Sequence, residues 1–71
     1  MTATELGQAI RRRRKSLHLT QQDLADLVGV NRRSISELER GTGGTSLRTV
    51  IAVCQALGMA VTVQPVTRHA S

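Results

Sequence analysis

The chain has 71 residues and a formal net charge of +5, from ten Lys or Arg against five Asp or Glu. A sequence this short forms one domain with a small core, because chains of this size bury only about 60% of their unfolded surface. The positive charge favours a polyanionic partner, although it also promotes solubility. Phe, Tyr and Trp are absent, and single-stranded nucleic acids are bound largely by stacking on aromatic rings. Duplex DNA is therefore favoured over RNA or single strands.

Cys54 is the single cysteine, which excludes an intrachain disulfide or a cysteine-cluster metal site and is typical of a reducing compartment. Helical spacing places it inward, either as a small buried hydrophobe or as a redox sensor. No apolar run reaches the ~18 residues of a membrane span, and the N-terminus lacks a signal-peptide core. We expect a cytoplasmic protein that associates with the nucleoid by binding DNA.

Residues 1–19 predict a first helix, opened by a capping box between Thr2 and Glu5. Gly7 lowers the stability of this helix. Residues 11–15 are five consecutive cations, which point in different directions on a helix and cannot all contact DNA. The expected buried stripe is Leu6, Ile10 and Leu17.

Residues 20–41 predict two short helices around a tight turn. Thr20 and Asp23 form a second capping-box pattern, so helix two begins at Gln21. Gly29 supplies the positive φ that ends this helix. Its apolar face carries Leu24, Ala25 and Val28.

Asn31 is expected to cap a third helix, which runs from Arg32 to Arg40 and is closed by Gly41. This arrangement has the spacing of a DNA-reading helix-turn-helix, whose second helix enters the major groove. The inward face of helix three carries Ile35 and Leu38. Its outward face carries Asn31, Arg32, Arg33, Ser36 and Glu37.

The chain resembles the Xre family of lambdoid phage repressors and Cro proteins over roughly residues 6–59. This resemblance implies a mainly α, four-helix DNA-binding domain in which Arg14 pairs with Glu39 as a structural salt bridge. Family members usually carry glycine where this sequence has His18, at a position that commonly takes the left-handed conformation. The matching residues are Leu19-Thr20-Gln21, Leu24-Ala25, Val28-Gly29-Val30, Ser34-Ile35-Ser36, Glu39, Gly41, Leu47 and Leu57-Gly58.

Thr45 or Ser46 caps a predicted fourth helix over residues 46–57, which Gly58 ends. Its apolar set is wider than a single core-facing stripe, so either the helix is buried all round or it makes a second contact. That set comprises Leu47, Val50, Ile51, Val53, Cys54 and Leu57.

Residues 59–65 alternate apolar and polar side chains, with Val61 and Val63 against Thr62 and Gln64, as in a β-strand. A lone strand leaves its backbone groups unpaired, so we expect antiparallel pairing with the same segment of a second copy. The expected layout is a DNA-binding core over about 4–58, this dimerisation strand over 59–65, and a short polar tail over 66–71. The expected homodimer contacts are Ile51, Met59, Val61 and Val63.

Four helices followed by a strand that pairs between protomers resemble the HipB-type antitoxins. This resemblance implies repression of the protein's own operon and binding to a HipA-type kinase toxin. The short tail removes any contact that a longer tail would make with such a toxin. Two alternative hypotheses are a stand-alone dimeric repressor and, from another class, a basic helical adaptor that binds an acidic protein.

The mechanism expected for a repressor places two reading helices in successive major grooves, about 34 Å apart, at an inverted repeat. Arg32 and Arg33 suit bidentate hydrogen bonds to guanine O6 and N7, while Glu37 either accepts from cytosine N4 or orients a neighbouring arginine. The candidate base contacts are Arg32, Arg33, Asn31, Glu37 and Gln22. The resemblance implies further contacts to the DNA backbone, for which the candidates are Gln21, Ser34, Arg40, Thr42, Gly43, Gly44 and Thr45.

No enzyme signature emerges from the sequence. The glycine-rich loop over residues 40–45 follows a helix and lacks the Gly-Lys-Ser/Thr ending of a nucleotide-binding loop. The five carboxylates are scattered, and His18 and His69 lie far apart with no nucleophile arranged beside them. We expect no catalysis, no cofactor and no metal.

Overall fold

The computed structural model describes residues 1–66, so all of the predicted polar tail except Val66 lies outside the described residues. Within them the chain is mainly helical, as predicted, with four helices and no strand. None of these helices is both long enough and apolar enough to cross a membrane. The helices are α1 (Ala3–Ser16), α2 (Gln21–Val28), α3 (Arg32–Arg40) and α4 (Leu47–Ala56).

Both predicted capping boxes are present. The amide of Glu5 donates to Thr2 Oγ1 over 3.1 Å, and the Thr2 amide donates back to Glu5 Oε1. Thr20 and Asp23 exchange the same pair of bonds, each 2.9 Å long, and these bonds lower the pKa of the Asp23 carboxyl. Ser46, rather than Thr45, caps α4 through the amide of Thr49. These bonds satisfy helix N-terminal amides that would otherwise lack partners.

The core lies where α3 packs against α1 and α2, with α4 closing it from the side of α2. Cys54 is buried there, and burial raises the pKa of its thiol, as expected for a small hydrophobe rather than a redox sensor. The core residues are Ile10, Leu24, Ala25, Ile35, Leu38, Val53, Cys54 and Leu57.

Gly7 lets α1 and α3 approach through their backbones. A Cβ atom built on Gly7 would lie 2.6 Å from the carbonyl oxygen of Glu39 and closer still to that of Leu38. Such distances are shorter than van der Waals contact, so no other residue fits without moving one helix. The sequence predicted only that Gly7 would weaken α1.

The inclusion of Leu17 in the buried stripe was wrong. Helix α1 ends at Ser16, Leu17 forms the C-cap, and its side chain is exposed. The next residue, His18, has a φ of 58°, in the left-handed region that the resemblance implied. Leu17 therefore lies beyond the last residue of α1, at the point where the chain turns away from the helix.

The strand predicted over residues 59–65 is not formed, because residues 59–66 have no regular secondary structure. A strand requires hydrogen bonds to a neighbouring strand, and the described residues offer no second strand-forming segment. The amide of Met59 instead donates to the Cys54 carbonyl over 2.8 Å, and the Met59 side chain packs on the core. Val63 is 96% exposed.

Candidate nucleic-acid interface

Helix α3 presents a polar face outward because its apolar face is fixed in the core. Ile35 and Leu38 are buried among the other helices, whereas Arg32 and Arg33 are exposed on the first turn. Neither arginine points into the protein. The first turn of α3 therefore carries two guanidinium groups that are accessible to a ligand.

Glu37 holds the side chain of Arg33 along the outside of α3. Arg33 Nε donates to Glu37 Oε1 over 3.0 Å, a pairing across one helical turn. This bond uses the inner nitrogen of the guanidinium, so both terminal nitrogens can still donate. The geometry corresponds to the expectation that Glu37 orients an arginine.

Asn31 and Gln22 are less available than the arginines. Asn31 Oδ1 accepts from the amide of Ser34 over 2.9 Å and from its hydroxyl over 3.0 Å, so Asn31 offers a ligand only its amide nitrogen. The Ser34 hydroxyl proton is used in the same cap. Gln22 Nε2 donates to Asp26 Oδ1 over 2.9 Å, which holds Gln22 along its own helix. The second Nε2 hydrogen and Oε1 of Gln22 stay available to a base, but only in the direction that this bond allows.

The buried end of α3 is tied to α1 and α2 through Glu39. Arg14 Nε donates to Glu39 Oε2 over 2.6 Å, and Arg14 Nη2 donates to Oε1 over 3.0 Å. Gln21 Nε2 also donates to Oε1, over 3.2 Å. The hydrogen bond and the charge of Glu39 raise the pKa of Arg14 despite its burial. Glu39 thus joins three helices and fixes the position of α3.

The loop after α3 contributes fewer donors than its composition predicts. The amide and hydroxyl of Thr42 both donate to the Glu37 carbonyl over 3.2 Å, so they cap α3. The Thr45 hydroxyl is buried without a partner among residues 1–66 and cannot reach a ligand outside. Gly43 and Gly44 are exposed, both with a φ of 80°, and their amides donate no hydrogen bond in the described part of the chain. The amides of these two glycines are therefore accessible to a ligand.

The cationic run of α1 divides into different roles that its sequence did not reveal. Arg13 Nε donates to the Leu57 carbonyl over 2.9 Å and so caps the end of α4. Arg11 lies instead in a cleft with Gln21, Ser36 and Arg40. No local signal identifies either role, because both depend on helices that are distant in sequence.

The second apolar face predicted for α4 is present. Leu47 and Ile51, four residues apart on one side of the helix, are 71% and 37% exposed. Val53 faces the core on the opposite side, and Cys54, three residues after Ile51, is also buried in the core. Of the other expected dimer contacts, Val61 and Val63 are exposed and Met59 is half-buried.

Residues 10–63 match the profile of the Helix-turn-helix family. An uncharacterised HTH-type transcriptional regulator from Methanothermobacter thermautotrophicus is 47% identical over 49 residues, which are 69% of this chain and 71% of the relative. Antitoxin PezA from Streptococcus pneumoniae is 38% identical over 50 residues, which are 70% of this chain. The match spans only 32% of PezA.

The fold is also similar to solved structures of HipB. One is a complex of HipB with an O2 20mer, and another is a HipA-HipB-O2-O3 complex. Both have a TM-score of 0.83 and 27% sequence identity, and both matches cover 94% of this chain. They cover 93% and 94% of the respective HipB chains.

The family match spans most of the chain and includes both helices of the helix-turn-helix unit, α2 and α3. The similarity to HipB extends further, over nearly the whole fold. This protein belongs to the Xre-type helix-turn-helix family of DNA-binding transcriptional regulators, with HipB among its structural neighbours.

Proposed function

We propose that this protein is a dimeric, sequence-specific repressor of the HipB type, which represses its own operon and binds a HipA-like kinase toxin. The observation that carries the DNA-binding part is the first turn of α3, where Arg32 and Arg33 are exposed while the opposite face is fixed in the core. The toxin and autoregulation parts rest on the similarity to HipB, which is known in complex with HipA.

Arg33 is the better candidate of the two arginines for reading a base. Its bond to Glu37 fixes the guanidinium and leaves the two terminal nitrogens to donate together to guanine O6 and N7. Such a bidentate contact contributes about 1–3 kcal/mol of discrimination against the wrong base. Arg32 then reads a second base or holds a phosphate. The amides of Gly43 and Gly44 position the loop on the DNA backbone.

Dimerisation covers the apolar surface that the single chain leaves exposed. Leu47 and Ile51 on α4, together with Val61 and Val63 beyond it, supply apolar side chains for a two-fold interface. In our proposal, residues 59–65 become ordered as strands only when two copies pair. The dimer places two α3 helices about 34 Å apart, so the operator is an inverted repeat.

The DNA-binding proposal is tested by selecting operators from a random duplex pool and comparing Arg33→Ala with the wild type. The variant is expected to lose about 1–3 kcal/mol of binding free energy for the operator and to lose its base preference at one base pair per half-site. Arg12→Ala removes the same charge from an exposed position of α1 and controls for nonspecific attraction. A loss that is uniform across all sequences would assign Arg33 to a phosphate. If the wild-type protein shows no preference for any operator over random duplex at physiological salt, the DNA-binding proposal fails and the adaptor hypothesis remains.

Dimerisation is tested by sedimentation of a Val61→Asp, Val63→Asp double variant. It is expected to be monomeric and to bind operator weakly, because each half-site alone supplies only half of the contacts. Leu27→Asp places an acid at an exposed apolar position of α2 and should leave the dimer intact. A dimeric double variant would contradict strand pairing and assign the interface to α4.

The toxin partnership is tested by copurification from the native host. A tagged chain is expected to retain a HipA-like kinase, and the adjacent reading frame is expected to encode it. Recovery of the tagged protein alone, with specific operator binding intact, would instead establish a stand-alone dimeric repressor.

A further inference from the structure

We propose that a cleft between α1, α2 and α3 binds one phosphodiester group of the operator backbone and that Arg11 is its principal ligand. The cleft, termed here the phosphate cleft, has a volume of about 310 Å³ and is lined by Arg11, Gln21, Ser36, Glu39 and Arg40. The inference rests on the proposed DNA binding. It adds a phosphate ligand from α1, outside the helix-turn-helix unit.

The charge of the phosphate cleft is positive despite the presence of Glu39. Both oxygens of Glu39 accept hydrogen bonds from Arg14, and one also accepts from Gln21, so the carboxylate is neutralised from within the protein. Arg11 and Arg40 are exposed, and neither forms a salt bridge within residues 1–66. Counting Arg14, the cleft and its wall hold three guanidinium groups and one carboxylate. This excess of positive charge favours an anion.

The phosphate cleft continues the surface that is proposed to face DNA. Ser36 and Arg40 follow Arg32 by four and eight residues, so all three lie along one stripe of α3. A duplex that follows this stripe from its base-reading end passes the cleft at the other end. Ser36 and Gln21 can then donate to the same phosphate as the two arginines.

The fold also explains why Arg11, among five consecutive cations, has this role. Arg13 donates to the Leu57 carbonyl at the end of α4 and does not line the cleft, and Arg14 is paired with Glu39. Arg12 and Lys15 are exposed but do not line the cleft. Lys15 shares the helix face of Arg11 but lies one turn further along α1, so Arg11 is the exposed member of the run that reaches the cleft.

The test compares the variants Arg11→Ala and Arg12→Ala, which lose the same charge from adjacent exposed positions of α1. Affinity is measured against salt concentration, for the selected operator and for an unrelated duplex. Arg11→Ala is expected to weaken both by a similar factor and to lower the slope of log affinity against log salt by about one per protomer. Arg12→Ala is expected to keep the wild-type slope. Far-UV circular dichroism confirms that both variants are folded.

A second measurement locates the phosphate. Operators that carry a single neutral methylphosphonate are scanned across the half-site. A methylphosphonate at one position is expected to weaken binding by the wild-type protein and to cause no further loss of affinity in Arg11→Ala. The absence of any such position, or a salt slope of Arg11→Ala that matches Arg12→Ala, would overturn the inference. Failure of the wild-type protein to bind any operator would instead refute the proposed function.

A free anion is the other source of the same chemistry. Thermal unfolding in inorganic phosphate and in chloride, at matched ionic strength, separates the two sources. The inference expects no stabilisation by phosphate that depends on Arg11. A higher melting temperature in phosphate for the wild type but not for Arg11→Ala, without a sensitive methylphosphonate position, would identify a free-anion site and overturn the inference.

Discussion

The Glu39→Gln substitution tests whether α3 is fixed by charge pairing with Arg14. It removes the negative charge while preserving the size of the side chain. The side chains of Arg14 and Glu39 are only 8% and 2% exposed, so the arginine charge would remain in a poorly hydrated site. Breaking one partner of a buried pair costs about 3–5 kcal/mol.

This loss is large relative to the whole stability. At about 0.05–0.15 kcal/mol per residue, a 71-residue domain has a free energy of unfolding of about 4–11 kcal/mol. The assay is urea unfolding followed by far-UV circular dichroism, since the chain has no tryptophan or tyrosine to report by fluorescence. Protein concentration is held constant, because a dimer is more stable at higher concentration.

Glu37→Gln is the matched control on the same helix. It removes the same charge from the exposed pair with Arg33, which contributes about 0.3–0.5 kcal/mol. Replacing both Arg14 with Met and Glu39 with Leu is expected to recover much of the loss, because no charge is then left unpaired. Equal stability of Glu39→Gln and Glu37→Gln would refute the reasoning.

Three further predictions concern His18, Gly7 and Cys54. His18→Gly is expected to raise the free energy of unfolding by up to about 1 kcal/mol, because it removes a left-handed non-glycine residue. Lys15→Gly, within α1, is the control and should lower the free energy of unfolding in the same urea titration. Gly7→Ala is expected to destabilise by about 1–3 kcal/mol because its methyl group would collide with α3, whereas Gln8→Ala, on the exposed side of α1, should be neutral in thermal unfolding. Cys54 is expected to react slowly with iodoacetamide at neutral pH, because burial raises the pKa of its thiol. Reaction of the native protein as fast as that of the urea-unfolded chain would instead support a redox sensor.

The features that the sequence predicted correctly are those set by neighbouring residues. The Thr2–Glu5 and Thr20–Asp23 capping boxes join residues three apart, so the chain can form them before it folds. The glycine turn at Gly29 is equally local, with a φ of 81°. These signals fix the helix boundaries and therefore place α3 at the surface.

The features that the sequence did not reveal depend on distant partners. The hydrogen bond from Arg13 to the Leu57 carbonyl joins residues 44 positions apart, and no sequence pattern around Arg13 predicts it. Gly7 is needed because the backbone of α3 lies too close for a side chain, and nothing within α1 itself indicates this. The alternation around Val63 matches a strand pattern, but residues 59–66 form no strand, because pairing requires a second segment that residues 1–66 do not provide.

The outward stripe of α3 is accessible while the opposite stripe is buried in the core, and this separation bears on how such regulators diversify. Exchange of Arg32, Arg33 or Glu37 alters groups at the protein surface and leaves Ile35, Leu38 and Glu39 in place. In our proposal, new operator preferences are therefore accessible by mutation at a small cost in folding stability, about 0.3–0.5 kcal/mol where the Arg33–Glu37 pair is lost. Such exchanges would let one scaffold serve different operators.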